Sequence, residues 1–232
     1  MAVITIAREM GSEGDKLGLE LAEALGYEFL DKEIIRKVAA EIGSSPEEVE
    51  LYDEKADSWL VRFLTQVFVA HPDVAAYYST FANVEPTYAY GVTEPAIFYE
   101  TPKGAAKPVD PGTIVKHFEE IIRQVAAKGD VVIVGRGSQV VLRDLPHTLH
   151  LRTVAPFDWR VDNVIRDNPD LSNSEAADLV ARNDRWRARY VSVNYNQAWN
   201  DPLLYHAVIS VDKWDWGRLV GALSSCVQAS GA

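Results

Sequence analysis

The chain of 232 residues is 47% hydrophobic and 25% charged, which is the composition of a globular protein with a sizeable core. Its 34 acidic and 23 basic side chains give a net charge of −11, which argues against a broad basic surface that coats nucleic acid or an anionic membrane. This length favours one domain over residues 1–232, with or without an inserted lid. No apolar run approaches the roughly 20 residues that span a bilayer, and the single Cys226 cannot form an internal disulfide, so we expect a cytoplasmic protein.

The N-terminal pattern predicts a strand, a turn, a helix and a second strand. VITI at 3–6 is a short β-branched run, and the segment LGLELAEALG that follows the turn has apolar residues at helical spacing up to Gly26. YEFL then predicts a strand, and Asp31 can cap the next helix. This alternation is typical of an α/β protein.

Residues 58–108 interrupt this regularity with an apolar stretch followed by interleaved proline, glycine and aromatic residues. We interpret the segment as an insertion or lid. Its aromatics either pack on the main core, as most aromatic clusters do, or form a mobile wall that shields a planar ligand.

Regular patterns return in the last half of the chain. A helix from Pro111 to Gly129 precedes VVIV, a run typical of a strand buried in a parallel sheet, and that strand ends in a second glycine turn, GRGS at 135–138. HTLHLR and HAVISV predict further strands between helices. The pattern therefore predicts a mainly parallel sheet with helices on both faces, and ligands that bind beyond the carboxyl ends of its strands.

The loop after the first strand, AREMGSEGDK at 7–16, is a candidate phosphate site. Its glycines let the backbone approach a ligand, and it leads into a helix N-terminus, so we predict that an anion binds near Ser12 and Gly14. A tight turn without a ligand uses the same residues, and that interpretation stays open.

This loop lacks the phosphate-binding motif G-x-x-x-x-G-K-[ST], because Gly14 stands where the lysine is expected. Two basic residues lie on either side of this position in the sequence, Arg8 before the turn and Lys16 after it. Each could contact a phosphate. Glu13 and Asp15 would either repel a phosphate or hold a metal that binds one. For Lys16, the alternative is a side chain that faces solvent.

A second cluster, RNDRWRARY at 182–190, reverses the charge of this acidic chain locally. Guanidinium groups bind phosphate oxygens through paired hydrogen bonds, so the cluster predicts an arginine-rich lid over 182–200 that closes on a polyphosphate. The alternative is a solvated helix face. The histidines are poor candidates for a metal site, since His147 and His150, the closely spaced pair, would point to opposite faces of a strand.

Three segments together resemble the cytidylate kinase-like family, a divergent branch of the nucleoside monophosphate kinases. They are ITIAREMGSEGDKLGLELAEALGYEFLDKEII, VVIVGRGSQVVLRDLPHTLHLR and DRWRARYVSVNYNQAWNDPLLYHAVIS. The combination of REMGSEGD, FLDKE and GRGS is more specific than any of its pieces. The resemblance implies a P-loop kinase-type three-layer fold, in which a five-stranded, mainly parallel sheet lies between helices and carries an acceptor-binding insertion and an arginine-bearing lid.

The resemblance and the charge pattern together assign candidate residues. The nucleotide-binding loop comprises Gly11, Ser12, Glu13, Gly14 and Asp15. The charge of the missing lysine is predicted to be shared by Arg8, Lys16, Arg185, Arg187 and Arg189. Asp31 and Arg136 match family residues that face the acceptor nucleotide, although Gly137 replaces the aspartate of the family's GRD turn.

The sequence thus predicts a phosphotransferase that moves the γ-phosphoryl group of ATP to a nucleoside monophosphate such as CMP or to another small acceptor, with Mg²⁺ implied by the resemblance. The alternative is a nucleotide-binding or sensor protein that keeps the fold but has lost transfer together with the lysine. In either case the expected partners are a nucleotide and a small molecule, with neither nucleic acid nor a membrane. Residues 58–108 and 182–190 are predicted to be the mobile parts.

Overall fold

The computed structural model describes residues 2–31 and 111–230, so the predicted insertion over 58–108 lies outside the described residues. The strands are β1 (Val3–Arg8), β2 (Glu28–Leu30), β3 (Val131–Val134), β4 (Thr148–Val154) and β5 (Ala207–Ser210). The helices are α1 (Gly14–Leu25), α2 (Pro111–Lys128), α3 (Ser138–Val141), α4 (Phe157–Asp167), α5 (Asn173–Tyr195) and α6 (Trp216–Ser230).

The five strands form one sheet in the order β2-β3-β1-β4-β5, with the first strand at its centre. β1 pairs in parallel with β3 and β4, and β4 pairs in parallel with β5. Every residue of β1 and β3 is buried, which explains why both strands are apolar almost throughout. The predicted α/β fold with a five-stranded parallel sheet is confirmed.

Local sequence signals explain where the helices begin and end. Leu17 and Leu21 of α1 lie one turn apart and are fully buried in the core. The same helix ends at Gly26, which adopts a left-handed φ of 69°. α5 begins with a capping box, in which Ser172 and Glu175 each accept a hydrogen bond from the other's backbone N–H.

β1 is two residues longer than the predicted strand 3–6, because Ala7 and Arg8 continue the pairing with β4. Arg8 is therefore buried at the carboxyl end of the central strand instead of lying in the turn. The loops that follow β1, β3 and β4 leave the sheet at this same edge, where parallel α/β proteins bind ligands.

The chain divides into two compact units, one formed by Met1–Phe29 with Ile122–Ala232 and the other by Leu30–Ile121. The candidate site below lies in the first unit, whereas Asp31, at the end of β2, belongs to the second. Of the described helices, none is both long enough and apolar enough to cross a membrane.

Candidate functional site

The loop between β1 and α1, residues 9–13, uses only part of its backbone donors internally. The N–H groups of Glu9, Met10 and Ser12 bond to Thr153 O, Asp184 Oδ1 and Glu9 O, respectively. Within the described residues, four other N–H groups have no hydrogen-bond partner, namely those of Gly11, Glu13, Gly14 and Lys16. Because the first N–H groups of a helix also carry its positive dipole end, these donors favour an anion.

The carbonyl oxygens of residues 8–11, in contrast, all accept hydrogen bonds. Three of the donors are side chains of α4 and α5: Arg187 to Arg8 O, Arg160 to Met10 O and Asn163 to Gly11 O, at 2.9, 3.1 and 3.0 Å. The fourth donor is Ser12, whose hydroxyl lies 2.8 Å from Glu9 O. The carbonyl oxygens that would repel an anion are thus hydrogen-bonded to other groups, so the loop presents N–H donors to a ligand.

Two glycines are required by close contacts in this loop. Gly11 has a φ of 76°, and a Cβ there would overlap the backbone carbonyl of Arg160. A Cβ on Gly14 would lie 2.5 Å from the Cβ of Arg8 and 2.6 Å from Oγ1 of Thr153. The position where the sequence motif expects lysine therefore has no room for any side chain, because Arg8 and Thr153 fill it.

The side chain of Arg8 bridges the two glycine turns. Its Nε and Nη2 donate to the two carboxylate oxygens of Asp15, each at 3.0 Å, and its Nη1 occupies the place that a Cβ on Gly135 would take. Within the part of the chain that the structure describes, Arg8 thus forms an ion pair with Asp15 at the start of α1.

The remaining charges beside the loop also have partners. Glu13 pairs with Arg166 of α4, and this hydrogen bond raises the pKa of Arg166 above its ordinary value. Lys16 is exposed, and its Nζ lies 4.6 Å from the ring centre of Trp216, which is a cation–π distance. Ser12 is fully buried, and its hydroxyl also lies 2.8 Å from Oγ1 of Thr153, so it faces the sheet.

The arginines predicted to form a lid lie on two faces of α5, which runs without a break to Tyr195. Arg187 is partly buried against the loop, where it bonds to Arg8 O. Arg185 and Arg189 are exposed, and at about 100° per residue they lie on the opposite side of the helix from Arg187. The structure therefore brings Arg187 to the loop between β1 and α1 and leaves the other two on the outer face.

The second glycine turn, after β3, has an unusual backbone. Gly135, Arg136 and Gly137 have consecutive positive φ values of 81°, 57° and 69°. A Cβ on Gly137 would overlap the ring of Tyr195 at the end of α5. Ser138 follows, fully buried, and its hydroxyl has no hydrogen-bond partner in the described part of the chain.

Sequence reasoning missed a buried charge cluster that supports the first loop. The carboxylate of Glu9 lies 3.3 Å from both Arg152 Nη2 and Arg160 Nε. Arg152 also stacks on Trp199, 4.3 Å from its ring centre, and donates to its carbonyl oxygen at 2.5 Å. One signal could have found it: an arginine within the strand pattern HTLHLR needs a buried acid.

Metal ligands are not gathered in this region. In the described ranges 2–31 and 111–230, no group of three or more His, Cys, Asp or Glu side chains could hold a metal ion. His147 precedes β4 and is exposed, whereas the buried ring of His150 stacks on that of His206, with 5.0 Å between their centres. The predicted strand that held both histidines starts one residue later, after His147.

A sequence model of the cytidylate kinase-like family matches residues 3–213, which include both glycine turns and the arginine cluster. Among curated proteins, none matches the sequence significantly.

Solved structures are similar to the chain at low sequence identity. An uncharacterized protein from Eubacterium ventriosum superposes with a TM-score of 0.62 at 17% identity, over 98% of this chain and 99% of that one, which shows a shared fold. A shikimate kinase from Acinetobacter baumannii, in complex with shikimate, has a TM-score of 0.46 at 13% identity, over 99% of this chain and 94% of that one. A shikimate kinase from Bacteroides thetaiotaomicron has a TM-score of 0.46 at 12% identity, over 98% of both chains.

Proposed function

The chain belongs to the cytidylate kinase-like family, and from that premise we propose that it transfers the γ-phosphoryl group of ATP to a nucleoside monophosphate such as CMP or to another small acceptor. The observation that carries the proposal is how the backbone groups of the first loop are bonded. Among the described residues, the carbonyls of 8–11 all accept hydrogen bonds, whereas the N–H groups of Gly11, Glu13, Gly14 and Lys16 have no partner. Catalysis of phosphoryl transfer depends mainly on positioning and on neutralising charge. A donor-rich loop at a helix N-terminus supplies both.

In this proposal the loop from Gly11 to Asp15 holds the phosphates of ATP, with Ser12 contributing to its shape from inside. Positive charge that a P-loop lysine would provide comes instead from neighbours. Arg8 lies against Gly14 and Lys16 follows it in α1, whereas Arg185, Arg187 and Arg189 belong to the lid segment 182–200. Losing such a charge costs a kinase several orders of magnitude in rate, so its replacement decides whether turnover occurs.

The acceptor side of the proposal depends on Asp31 and Arg136, which match acceptor-binding positions of the family. The φ of 57° at Arg136 supports a role there, since strained backbone is found disproportionately at functional sites. The insertion predicted over 58–108 lies outside the described residues, and in this proposal it also binds the acceptor.

Mg²⁺ is part of the family's expected chemistry, but the residues beside the loop do not fit a protein-held ion. Asp15 and Glu13 are each paired with an arginine, and the Ser12 hydroxyl is buried. An ion that accompanies ATP would therefore be held chiefly by phosphate oxygens and water, as Mg²⁺ often is. A reducing, cytoplasmic location agrees with the single, exposed Cys226.

The proposal is tested by a thermal-shift screen of nucleoside mono- and triphosphates with and without Mg²⁺, followed by a coupled assay of ADP release for each ligand that binds. We expect a triphosphate to raise the melting temperature and ADP release to require a monophosphate acceptor. Nucleotide binding without ADP release in the presence of any acceptor would indicate a nucleotide-binding protein and overturn the proposed phosphoryl transfer.

Two variants sharpen this test. Lys16→Ala and Arg185→Ala remove exposed cations and should weaken triphosphate binding or turnover about tenfold without lowering the melting temperature. Asp178→Asn, an exposed carboxylate on the same helix as Arg185, is the control and should behave as the wild type. Unchanged binding and turnover in both arginine and lysine variants would remove these residues from the site.

A further inference from the structure

Both backbone polar groups of Met10, which belong to the two successive peptides on either side of its Cα, are held by an ion pair from outside the loop. Asp184 Oδ1 accepts from the Met10 N–H at 2.9 Å, and Arg160 Nη1 donates to Met10 O at 3.1 Å. The two side chains bond to each other at 2.6 Å, and they are only 21% and 8% exposed. Asp184 belongs to α5 and Arg160 to α4, so two helices meet at this residue.

The position of this pair determines which groups the loop presents. Met10 directly precedes Gly11, where the series of N–H groups without a partner begins. If the Met10–Gly11 peptide turned over, the Met10 oxygen would move toward these donors and repel an anion, and the Gly11 N–H would turn away. Arg160 opposes this by holding the Met10 oxygen, and Asp184 fixes the preceding Glu9–Met10 peptide by accepting from the Met10 N–H.

We propose that Asp184 and Arg160 are positioning residues for phosphate binding, which hold the two peptides on either side of Met10 so that the following N–H groups remain available to a phosphate. This inference deepens the proposed function and rests on it for the identity of the ligand. A buried ion pair contributes little net stability, because desolvation offsets most of its attraction, but it can fix one conformation among several. The bonds of this pair end on the loop backbone, which is where a positioning role needs them.

The same helix adds a third contact, since Arg187 lies one turn from Asp184 and bonds to Arg8 O at 2.9 Å. α5 therefore contacts the backbone on both sides of Glu9, at Arg8 and at Met10. Its outer face carries Arg185 and Arg189. A displacement of this helix would be transmitted directly to the loop.

The test compares Asp184→Ala and Asp184→Asn with wild type, and uses Asp178→Asn on the exposed face of α5 as the matched control. Asparagine keeps an oxygen for the Met10 N–H but loses the charge that binds Arg160, so it should rescue part of the alanine defect. In the ligand-free protein we expect the Met10 amide to exchange at least tenfold faster in Asp184→Ala than in wild type, with a smaller increase in Asp184→Asn.

For ligands we use ATP and inorganic tripolyphosphate, which offers phosphates without a base. Asp184→Ala should bind both about tenfold more weakly, and the KM for ATP should rise while the KM for the acceptor stays the same. A purely structural pair would change both KM values or neither. Asp184→Asn keeps the test valid if Asp184→Ala does not fold.

The outcomes separate the two proposals. If the wild type binds tripolyphosphate but releases no ADP, and Asp184→Ala binds it more weakly, phosphoryl transfer is overturned and the positioning role stands. If turnover is present and Asp184→Ala matches the wild type in Met10 exchange and in KM for ATP, the positioning role is overturned. A wild type that binds neither ligand overturns both.

Discussion

The two glycine turns at the carboxyl edge of the sheet are built in opposite ways. In the first turn, residues 9–13, backbone groups are held by side chains from distant segments, notably Arg160, Asn163 and Asp184. In the second turn, residues 135–138, three successive positive φ values hold the shape. Ser12 makes several hydrogen bonds, whereas the buried hydroxyl of Ser138 makes none to the described residues.

This difference separates two ways of preparing a binding loop. The first turn depends on a network that forms only when α4 and α5 are packed, so it is a property of the whole fold. The second depends on local backbone conformations that glycine makes possible, and it stores strain at Arg136. Substitutions at equivalent positions of the two turns should therefore have different costs.

The largest effect is expected for Gly11→Ala in the first turn. A Cβ there would strike the carbonyl of Arg160, a backbone group that cannot rotate away, and the φ of 76° adds conformational strain. We expect the free energy of unfolding to fall by on the order of 4 kcal/mol, measured by urea denaturation.

Gly26→Ala is the control, because its φ of 69° is similar but no atom lies within 4 Å of the new methyl. It should cost about 1 kcal/mol, the price of a left-handed alanine alone. Equal losses in the two variants would mean that the Arg160 contact does not constrain the first turn.

The next effect concerns His150, a buried residue of β4 that pairs with Thr5 of the central strand. Its Nδ1 is 2.7 Å from Oγ1 of Thr5 in β1, and its ring stacks on that of His206 with 5.0 Å between the ring centres. Burial, together with the nearby His206, lowers the pKa of His150 to about 4. Between about pH 6.5 and about 4 the unfolded chain therefore binds the proton more readily than the folded one.

Stability should consequently fall as the pH falls through this window, by roughly 2 kcal/mol after allowance for solvent screening. His150→Gln should remove most of this dependence, as followed by urea denaturation at pH 7, 5.5 and 4. An unaltered pH profile in His150→Gln would assign the acid sensitivity to other groups.

A third effect tests the second turn through Gly137→Ala. The new Cβ would meet the ring of Tyr195, a side chain that can shift, so the loss should be about 2 kcal/mol, which is smaller than for Gly11→Ala. Adding Tyr195→Ala should recover the part of the loss due to the clash and leave about 1 kcal/mol of backbone strain. If the double variant loses the sum of both single losses, the ring contact does not decide the identity of this residue.

The features of the fold that depend on the local pattern of residues could be predicted from the sequence. Alternating strands and helices, the turn at Gly26 and the order of the elements followed from periodicity and punctuation, and the parallel sheet placed both glycine turns at one edge. The predicted anion site at the first turn needed only the strand, the glycines and the helix that follows.

The partners of the charged residues could not be predicted in the same way, because they lie far apart in the chain. Arg187 was predicted to contact phosphate, yet its bond to Arg8 O depends on how α5 packs. The sequence did not single out Asp184, because it lies within an arginine cluster, or Arg160, because it lies in an ordinary amphipathic helix. Asp15 appeared as a metal ligand or a source of repulsion until its ion pair with Arg8 was visible.

The smallest and sharpest comparison uses the two serines, which are both fully buried and each belong to one turn. Ser12→Ala removes hydroxyl contacts of 2.8 Å to Glu9 O and to Oγ1 of Thr153, so it should cost about 1 kcal/mol. Ser138→Ala removes a hydroxyl that has no partner among the described residues, so its loss should be close to zero, or the variant slightly more stable. Both are measured by urea denaturation of the ligand-free protein. The two substitutions delete the same atom from the same degree of burial, so their difference reports hydrogen bonding alone. A loss of stability in Ser138→Ala as large as in Ser12→Ala would show that the Ser138 hydroxyl is hydrogen-bonded in solution. The two serines would then differ in which groups they bond to and not in how many.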